Sequence, residues 1–319
     1  MKEKITVLGG GAWGTAIASL LCRDGHDVLL WAMEEAVCSE VNNKCSNSRY
    51  LPDIELPKTL KSKSCLEKSF EHSKIIVEVV PVRHLRSVLE KAKPFVTPEH
   101  SFVTTSKGVE PETLMLPTQI VQDVLCAQKL AALGGPNFAK DVARGGFSAT
   151  TIASNDDEFL KTLSVIFSSD NFKVESSRDL LGVQVCGLLK NVVSLAIGIA
   201  RGAKLSENAI AYIFTKGLKE AAEITQAFGG KTETVYGLAG VGDLVLTSMG
   251  TQSRNLKAGV MIGSGRTLQD VENELGILPE GVASASALAQ LVEKLGLYLP
   301  LAVTVEQILK GKALPADLL

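Results

Sequence analysis

The chain has 319 residues, 45% hydrophobic and 21% charged, with a formal net charge of −2. That length supports two domains with sizeable cores, and the near-neutral balance excludes a chain-wide binder of nucleic acid or anionic membrane, while leaving room for a local site for a small anion. The six cysteines, Cys22, Cys38, Cys45, Cys65, Cys126 and Cys186, include no C-x-x-C pair; they read as scattered reduced thiols of a cytoplasmic protein, not as a disulfide framework or a metal site.

Met1-Lys2-Glu3-Lys4 runs straight into an apolar strand, which leaves no room for a signal peptide. Apolar runs then predict strands at Lys4–Leu8, Asp27–Trp31, Ile75–Val80, Ser101–Thr105, Lys129–Leu133 and Ser148–Ala153. They are continuous rather than alternating, as in a parallel sheet covered on both faces. Helical patterns fall between them, at Trp13–Arg23, Glu34–Asn42, Val82–Ala92, Thr113–Cys126 and Asp156–Phe167. This alternation predicts a doubly wound α/β domain of Rossmann type over residues 1–176.

After residue 176 the rhythm becomes helical, with patterns at Ser177–Ala200, Ser206–Phe228, Ser253–Gly263, Val282–Leu295 and Pro300–Leu309, separated by glycine breaks. Residues 177–319 are expected to form an all-α second domain, compatible with a homodimer without requiring one. Leu180–Ala200 is apolar enough to suggest a membrane span, but it carries Gln184, Lys190 and Asn191 near its middle. A lysine at the bilayer centre costs roughly 2.5–3.5 kcal/mol or more, so a buried helix and no membrane span are expected.

Gly9-Gly10-Gly11-Ala12-Trp13-Gly14 fits G-x-G-x-x-G between the first strand and the first helix. There Gly9 serves the tight turn, Gly11 the approach of a pyrophosphate and Gly14 close helix–strand packing; the helix N-terminus adds N–H groups and its dipole. Glu34 stands where an acidic residue bonds a ribose 2′-hydroxyl, and no arginine is near it in sequence, which leans toward NAD over NADP. Its other reading is simply the start of the next helix, where a carboxylate is favoured.

Ligands of such sheets gather beyond the carboxyl ends of the strands. Ser106-Lys107-Gly108 and Gly134-Gly135-Pro136-Asn137-Phe138-Ala139 lie there. Lys107 reads either as a ligand group or as a solvated loop lysine, and Asn137 as a ligand contact or a helix cap. None of the four histidines, His26, His72, His84 and His100, is well placed for proton transfer. Lys190 is the stronger acid/base candidate: it sits in an apolar helix with the small residues Gly187 and Ser194 on its face, and burial disfavours its charged form. The competing reading is a structural lysine paired with a buried carboxylate. Asp243, after Gly240-Val241-Gly242, is placed to orient Lys190, to bond a substrate hydroxyl or to cap a helix. Thr251-Gln252-Ser253-Arg254-Asn255 combines hydroxyl, guanidinium and amide at a helix start, a set suited to phosphate and equally to a capped, solvated helix end.

Together these segments resemble the NAD(P)-dependent glycerol-3-phosphate dehydrogenases of the soluble, bacterial-like type. The resemblance runs nearly end to end. It rests on Gly9-Gly10-Gly11-Ala12-Trp13-Gly14-Thr15, Ser106-Lys107-Gly108, Gly135-Pro136-Asn137-Phe138-Ala139, Leu189-Lys190-Asn191-Val192-Val193, Gly237-Leu238-Ala239-Gly240-Val241-Gly242-Asp243-Leu244, Gln252-Ser253-Arg254-Asn255 and Glu280-Gly281. It implies Lys190 as proton acceptor in alcohol oxidation. It implies substrate contacts at Lys107, Gly135, Asn137, Asp243, Ser253, Arg254 and Asn255. Cofactor contacts are implied at Ala12, Trp13, Met33, Tyr50, Lys107, Ala139, Arg254, Leu278 and Glu280. The implied cofactor is NAD or NADP with no metal, and the partner is a small phosphorylated substrate. Met33 and Val82 depart from the basic residue and the serine common at those positions. Two other readings are a ketopantoate-reductase-like reductase of 2-oxoacids and a non-catalytic NAD(H)-binding sensor.

Overall fold

The structure, a computed structural model, describes residues 2–319. The chain divides into two compact units. The first comprises Met1–Lys107, Pro117–Leu133 and Asn137–Leu180; the second comprises Gly108–Leu116, Gly134–Pro136 and Leu181–Leu319.

In chain order the first part runs β1 (Lys4–Leu8), α1 (Ala12–Arg23), β2 (Asp27–Trp31), α2 (Glu35–Lys44), β3 (Lys61–Lys63), α3 (Leu66–His72), β4 (Ile75–Glu78), α4 (Val82–Ala92), β5 (Ser101–Thr104), α5 (Pro117–Leu125), β6 (Lys129–Gly134), α6 (Ala139–Ala143), β7 (Ser148–Ser154), α7 (Asp157–Phe167) and β8 (Phe172–Ser177). The eight strands form one sheet in the order β3-β2-β1-β4-β5-β6-β7-β8. Strands β3, β2, β1, β4, β5 and β6 run parallel, as do β7 and β8. The order reverses between β1 and β4, and a doubly wound sheet binds its ligand at such a reversal. Buried Ile5, Val7, Ile17, Leu21, Leu30, Val77, Val103 and Ala131 form the core between sheet and helices.

The expected Rossmann-type sheet is present, with two strands beyond those predicted. β3 is three residues of Lys-Ser-Lys with only Ser62 buried, and β8 mixes exposed with buried positions. Both are edge strands, which carry charge and lack the continuous apolar run that marks an interior strand. The helix predicted from Thr113 begins only at Pro117. A proline has no N–H to give and is tolerated in the first turn but not the interior; residues 108–116 form a loop instead, with Leu114 at φ 61°.

The second part runs α8 (Leu180–Gly202), α9 (Glu207–Ala227), α10 (Thr232–Val235), a π-helical turn (Leu238–Gly242), α11 (Asp243–Met249), α12 (Arg254–Gly263), α13 (Leu268–Leu275), α14 (Glu280–Leu295) and α15 (Pro300–Leu309). It is helical as expected. α8 is the one described helix long and apolar enough to cross a membrane, and 89% of its apolar window is buried inside the protein. It packs closely on α12, and glycine makes that approach possible. A methyl group on Gly198 would stand 2.4 Å from Leu256 O, and one on Gly259 2.3 Å from Leu195 O. The two helices therefore meet backbone to backbone, which sets Asn191 of α8 against Asn255 of α12. Gly240 also differs from its expected role as a flexible break. It lies within the π turn, where a β-carbon would come 2.0 Å from Val235 O, so the position requires absence of a side chain rather than freedom of the backbone.

Candidate functional site

The glycine turn connects β1 to α1. Gly9 has φ 137°, and a β-carbon there would meet Val79 O at 2.8 Å; one on Gly14 would meet Gly9 O at 1.9 Å. Gly11, by contrast, has open space where its side chain would be. No side chain caps α1 and no acidic residue stands in its first turn, so its N–H groups and dipole face that open side, the donor set a pyrophosphate requires. The turn is braced from outside by Asn47, a residue not singled out in the sequence. Its Nδ2 donates to Gly10 O at 2.9 Å and to Thr15 Oγ1 at 2.8 Å. Ala12 and Trp13 are half-buried against the same core, as are Tyr50 and Ala139. Ala139 opens α6, whose last turn is tied to α1 by Arg23, donating to Val142 O and Ala143 O at 2.6 Å each.

At the end of β2, Met33 is 71% exposed and Glu34 is the N-cap residue of α2 without a side-chain cap bond. Its carboxylate turns instead to Tyr50, whose hydroxyl donates to Glu34 Oε1 at 2.6 Å. Arg49 Nη1 lies 3.6 Å from the same oxygen, and its guanidinium sits 5.1 Å from the centre of the Tyr50 ring. An arginine thus does stand near Glu34. It comes from a loop fifteen positions further along, which the sequence neighbourhood of Glu34 does not reveal.

Beyond β5, Ser106 and Lys107 are half-buried. Ser106 Oγ is 2.9 Å from Glu78 Oε1 and 2.5 Å from Val80 O. Glu78, at the end of β4, is fully buried, and that burial pushes its carboxyl up to about 8, against the opposing hydrogen bond from Val80 N–H. Its place inside Ile-Ile-Val-Glu-Val-Val is a signal in the sequence, a carboxylate within an otherwise apolar run. Asn137 does not cap α6, whose N-cap is Phe138; its Nδ2 donates to Ala149 O at 2.9 Å. The histidines serve packing or the surface. His26 Nδ1 accepts from Glu3 N at 3.2 Å, and His100 Nε2 lies 3.0 Å from Phe70 O.

In the second unit, α8 and α11 bring Lys190 and Asp243 together. Lys190 Nζ donates to Asp243 Oδ1 at 2.8 Å and to Thr247 Oγ1 at 3.1 Å. The Thr247 hydroxyl donates to Asp243 Oδ1 at 3.2 Å, and Ser194 Oγ donates to Thr247 O at 2.8 Å. The lysine side chain is 12% exposed and the aspartate 2%. Asp243 is the first residue of α11 rather than its cap, which is Gly242. Thr247 was not anticipated; its signal is the spacing i, i+4 from Asp243, which places both on one helix face.

At the next residue of α8, Asn191 Oδ1 accepts from Asn255 Nδ2 at 2.8 Å, while Asn255 Oδ1 accepts from Gly281 N at 2.9 Å and Asn191 Nδ2 donates to Glu280 Oε2 at 3.3 Å. These bonds join α8, α12 and the first turn of α14. Ser253 caps α12, accepting from Leu256 N at 3.2 Å. Arg254 is exposed and reaches the end of α13 and the loop after it, donating to Leu275 O at 3.3 Å and Ile277 O at 2.7 Å; Leu278 follows in that loop. Gly135 belongs to the short segment Gly134–Pro136 of this unit, where a β-carbon on Gly134 would meet Val183 Cγ1 at 3.0 Å. Lys190, Asp243, Ser253, Arg254, Asn255, Leu278 and Glu280 thus fall in the second unit. The glycine turn, Met33, Glu34, Tyr50, Lys107, Asn137 and Ala139 fall in the first. Among the described residues no group of three or more His, Cys, Asp or Glu is arranged to hold a metal ion.

A glycine turn at the strand-order reversal of a parallel sheet, opening onto an uncapped helix N-terminus, defines a Rossmann-type dinucleotide-binding protein. Residues 4–160 match the family model of the NAD-dependent glycerol-3-phosphate dehydrogenase N-terminus, and residues 179–319 that of its C-terminus. The chain belongs to the NAD(P)-dependent glycerol-3-phosphate dehydrogenase family. It is 38% identical to the glycerol-3-phosphate dehydrogenase [NAD(P)+] of Koribacter versatilis over 99% of this chain and 95% of that one. It is 37% identical to that of Citrifermentans bemidjiense over 97% and 93%. The crystal structure of glycerol-3-phosphate dehydrogenase from Coxiella burnetii is similar with TM-score 0.94 at 35% identity, covering 99% of this chain and 97% of the other. A ketopantoate reductase from Ralstonia eutropha JMP134 shares the fold alone, with TM-score 0.64 at 16% identity over 100% and 99%.

Proposed function

We propose that this chain reduces dihydroxyacetone phosphate to sn-glycerol 3-phosphate, and reverses the reaction, in the cytoplasm, supplying the backbone of glycerophospholipids. In this reading residues 1–176 hold the nucleotide and residues 177–319 carry the catalytic and substrate groups. The observation that carries the reading is Lys190, an ammonium on an apolar helix aimed by Asp243 and Thr247.

When bound, the dinucleotide supplies or accepts the hydride. The chain's own work is binding, orientation and proton transfer. The turn Gly9–Gly14 with Ala12 and Trp13 takes the pyrophosphate end, and Met33, Glu34 and Tyr50 the adenosine. Lys107, Ala139, Arg254, Leu278 and Glu280 complete the cofactor contacts. Lys190 gives a proton to the carbonyl oxygen in reduction and takes it back in oxidation. Asp243 accepts from its Nζ and so fixes where that proton points. Lys107, Gly135 and Asn137 hold the carbonyl or neighbouring hydroxyl.

The first turn of α12 takes the phosphate. It contains no acidic residue. Ser253 uses its oxygen to cap the helix and keeps its hydroxyl proton to donate; Asn255 gives one amide hydrogen to Asn191 and keeps the other. Arg254 adds the charge. Binding energy gathered at the phosphate fixes the distant reactive carbon.

Between the cofactors, Glu34 favours NAD, because a carboxylate repels a 2′-phosphate. Arg49, 3.6 Å from Glu34, offers that phosphate a partner, so the preference is a ratio rather than an exclusion.

The reading is tested by following oxidation of NADH and, in parallel, NADPH, with dihydroxyacetone phosphate, dihydroxyacetone or ketopantoate. Turnover is expected with the phosphorylated ketone. Faster turnover with ketopantoate, or tight NADH binding with no oxidation by any ketone, would overturn it.

A further inference from the structure

Glu78 interrupts the apolar run of β4 with a carboxyl group that is wholly buried at the carboxyl end of the strand. Two polar atoms approach its Oε1, and one of them also meets the Val80 carbonyl. Val80 N donates to Oε1 at 2.5 Å, Ser106 Oγ lies 2.9 Å away, and the same Oγ lies 2.5 Å from Val80 O. Glu78 Oε2 is buried with no hydrogen-bond partner.

Counting hydrogens decides the arrangement. Val80 O is a carbonyl and can only accept, and a serine hydroxyl has one proton to give. At 2.5 Å that proton belongs to Val80 O. Ser106 Oγ then turns a lone pair toward Glu78 Oε1, which a carboxylate would repel. A carboxylic acid with its proton on Oε1 supplies the missing hydrogen: it donates to Ser106 Oγ and still accepts from Val80 N. The bare Oε2 agrees, because an unsolvated carbonyl oxygen costs far less than half of an unsolvated carboxylate.

We propose that Glu78 serves the protein as a neutral carboxylic acid, a positioning residue whose proton, given to Ser106 Oγ, ties the Ser106–Lys107 turn to the end of β4. The strand ends are also linked by the backbone, with Thr105 N donating to Glu78 O at 2.9 Å. The side-chain tie is the part that ionisation would break: a carboxylate there faces Ser106 Oγ, whose one proton is held by Val80 O.

Burial dominates the upward shift of this carboxyl to about 8, and the bond from Val80 N–H opposes it. The charged groups of the neighbouring elements are Lys4 at the far end of β1, Arg83, His84, Arg86, Glu90 and Lys91 on α4 and Lys107 after β5, while β5 itself carries none. None of them forms an ion pair with Glu78. The hydroxyl of Thr104, its register partner on β5, makes no hydrogen bond to it.

The consequence for catalysis rests on the role proposed above for Lys107; the protonation state does not. The first measurement is infrared difference spectroscopy of the full chain, wild type minus Glu78→Gln. At pH 7 a carboxylic-acid C=O stretch is expected in the wild type, absent from the variant and lost above pH 9. Carboxylate bands alone at pH 7 would overturn the proposal.

The second is NMR of the Ser106 and Lys107 amides. They are expected to titrate near pH 8 in the wild type and not in Glu78→Gln; titration in both, or in neither, would overturn the positioning role. The third is the KM for dihydroxyacetone phosphate. One pH unit above its midpoint about a tenth of the acid remains, so between pH 7 and 9 KM should rise about tenfold more in the wild type than in Glu78→Gln. Equal rises would count against the tie. Should neither protein turn over the ketone, the dehydrogenase reading fails, and the infrared and amide data still decide Glu78.

Discussion

Asp243 Oδ1 and Lys190 Nζ, 53 residues apart in the chain, lie 2.8 Å from each other in the second unit, with Thr247 bonded to both. A carboxylate partner is what a purely structural lysine would also have, so the pair alone does not separate the two roles weighed for Lys190. Kinetics do. Lys190→Ala is expected to lower kcat by about 100- to 10,000-fold, the usual contribution of a general acid–base, with NADH affinity by fluorescence titration unchanged. Normal turnover in that variant would remove Lys190 from the mechanism. Asp243→Asn should lower kcat less, since the lysine remains but loses the charge that orients it.

Arg254 offers a guanidinium to the phosphate while two of its bonds go to Leu275 O and Ile277 O. Arg254→Ala is expected to raise KM for dihydroxyacetone phosphate by about 10- to 100-fold, from a charged hydrogen bond worth roughly 1.5–3 kcal/mol. The rise should be absent for unphosphorylated dihydroxyacetone. Equal losses on both ketones would show that the residue acts through the 275–277 loop and not on the phosphate.

The Glu34–Tyr50–Arg49 group sets opposite charges at one edge of the nucleotide unit. Glu34→Gln should improve NADPH affinity relative to NADH, and Arg49→Ala should worsen it, each by about tenfold or less for an exposed pair. Calorimetric Kd values for both nucleotides read this directly. A ratio unmoved by either change would place the 2′ position elsewhere.

Glu220 of α9 caps α15: it accepts from Leu301 N at 2.6 Å and from Ala302 N at 3.0 Å. Burial nevertheless pushes its carboxyl up to about 7 from an ordinary 4.5. A group raised on folding contributes stability that is fully present below the unfolded value and lost as pH climbs through the folded one. Glu220 should therefore make Tm fall between about pH 4.5 and 7, with Glu78 acting the same way up to about 8. Thermal scans should show a shallower slope over that window in Glu220→Gln, and a slope equal to wild type would contradict the assignment. Glu220→Ala should lower stability at every pH, by about 1–3 kcal/mol for the N–H groups it leaves bare.

Much of the fold was legible because interior strands of a parallel sheet are buried on both faces and so announce themselves as apolar runs, as Ile75–Val77 and Ser101–Thr104 do. Lys61–Lys63 did not, since a strand at the border of the sheet, paired on one side only, leaves its lysines in solvent and buries only Ser62. The glycine turn could be placed because its constraints are local: Gly9 needs its backbone angle and Gly14 its clearance within six residues of chain.

What sequence alone determined about this protein is the class of sheet, the nucleotide turn and the identity of the candidate residues, each written in short-range spacing. Only the tertiary structure decided which of them meet: Lys190 with Asp243 and Thr247, Asn191 with Asn255 and Glu280, Arg49 with Glu34, Glu78 with Ser106. Those pairings depend on how closely helices and strands distant in the chain can approach, as α8 and α12 do across their glycines. Such an approach is set by side-chain volume and burial summed over the whole core, and no local pattern records it.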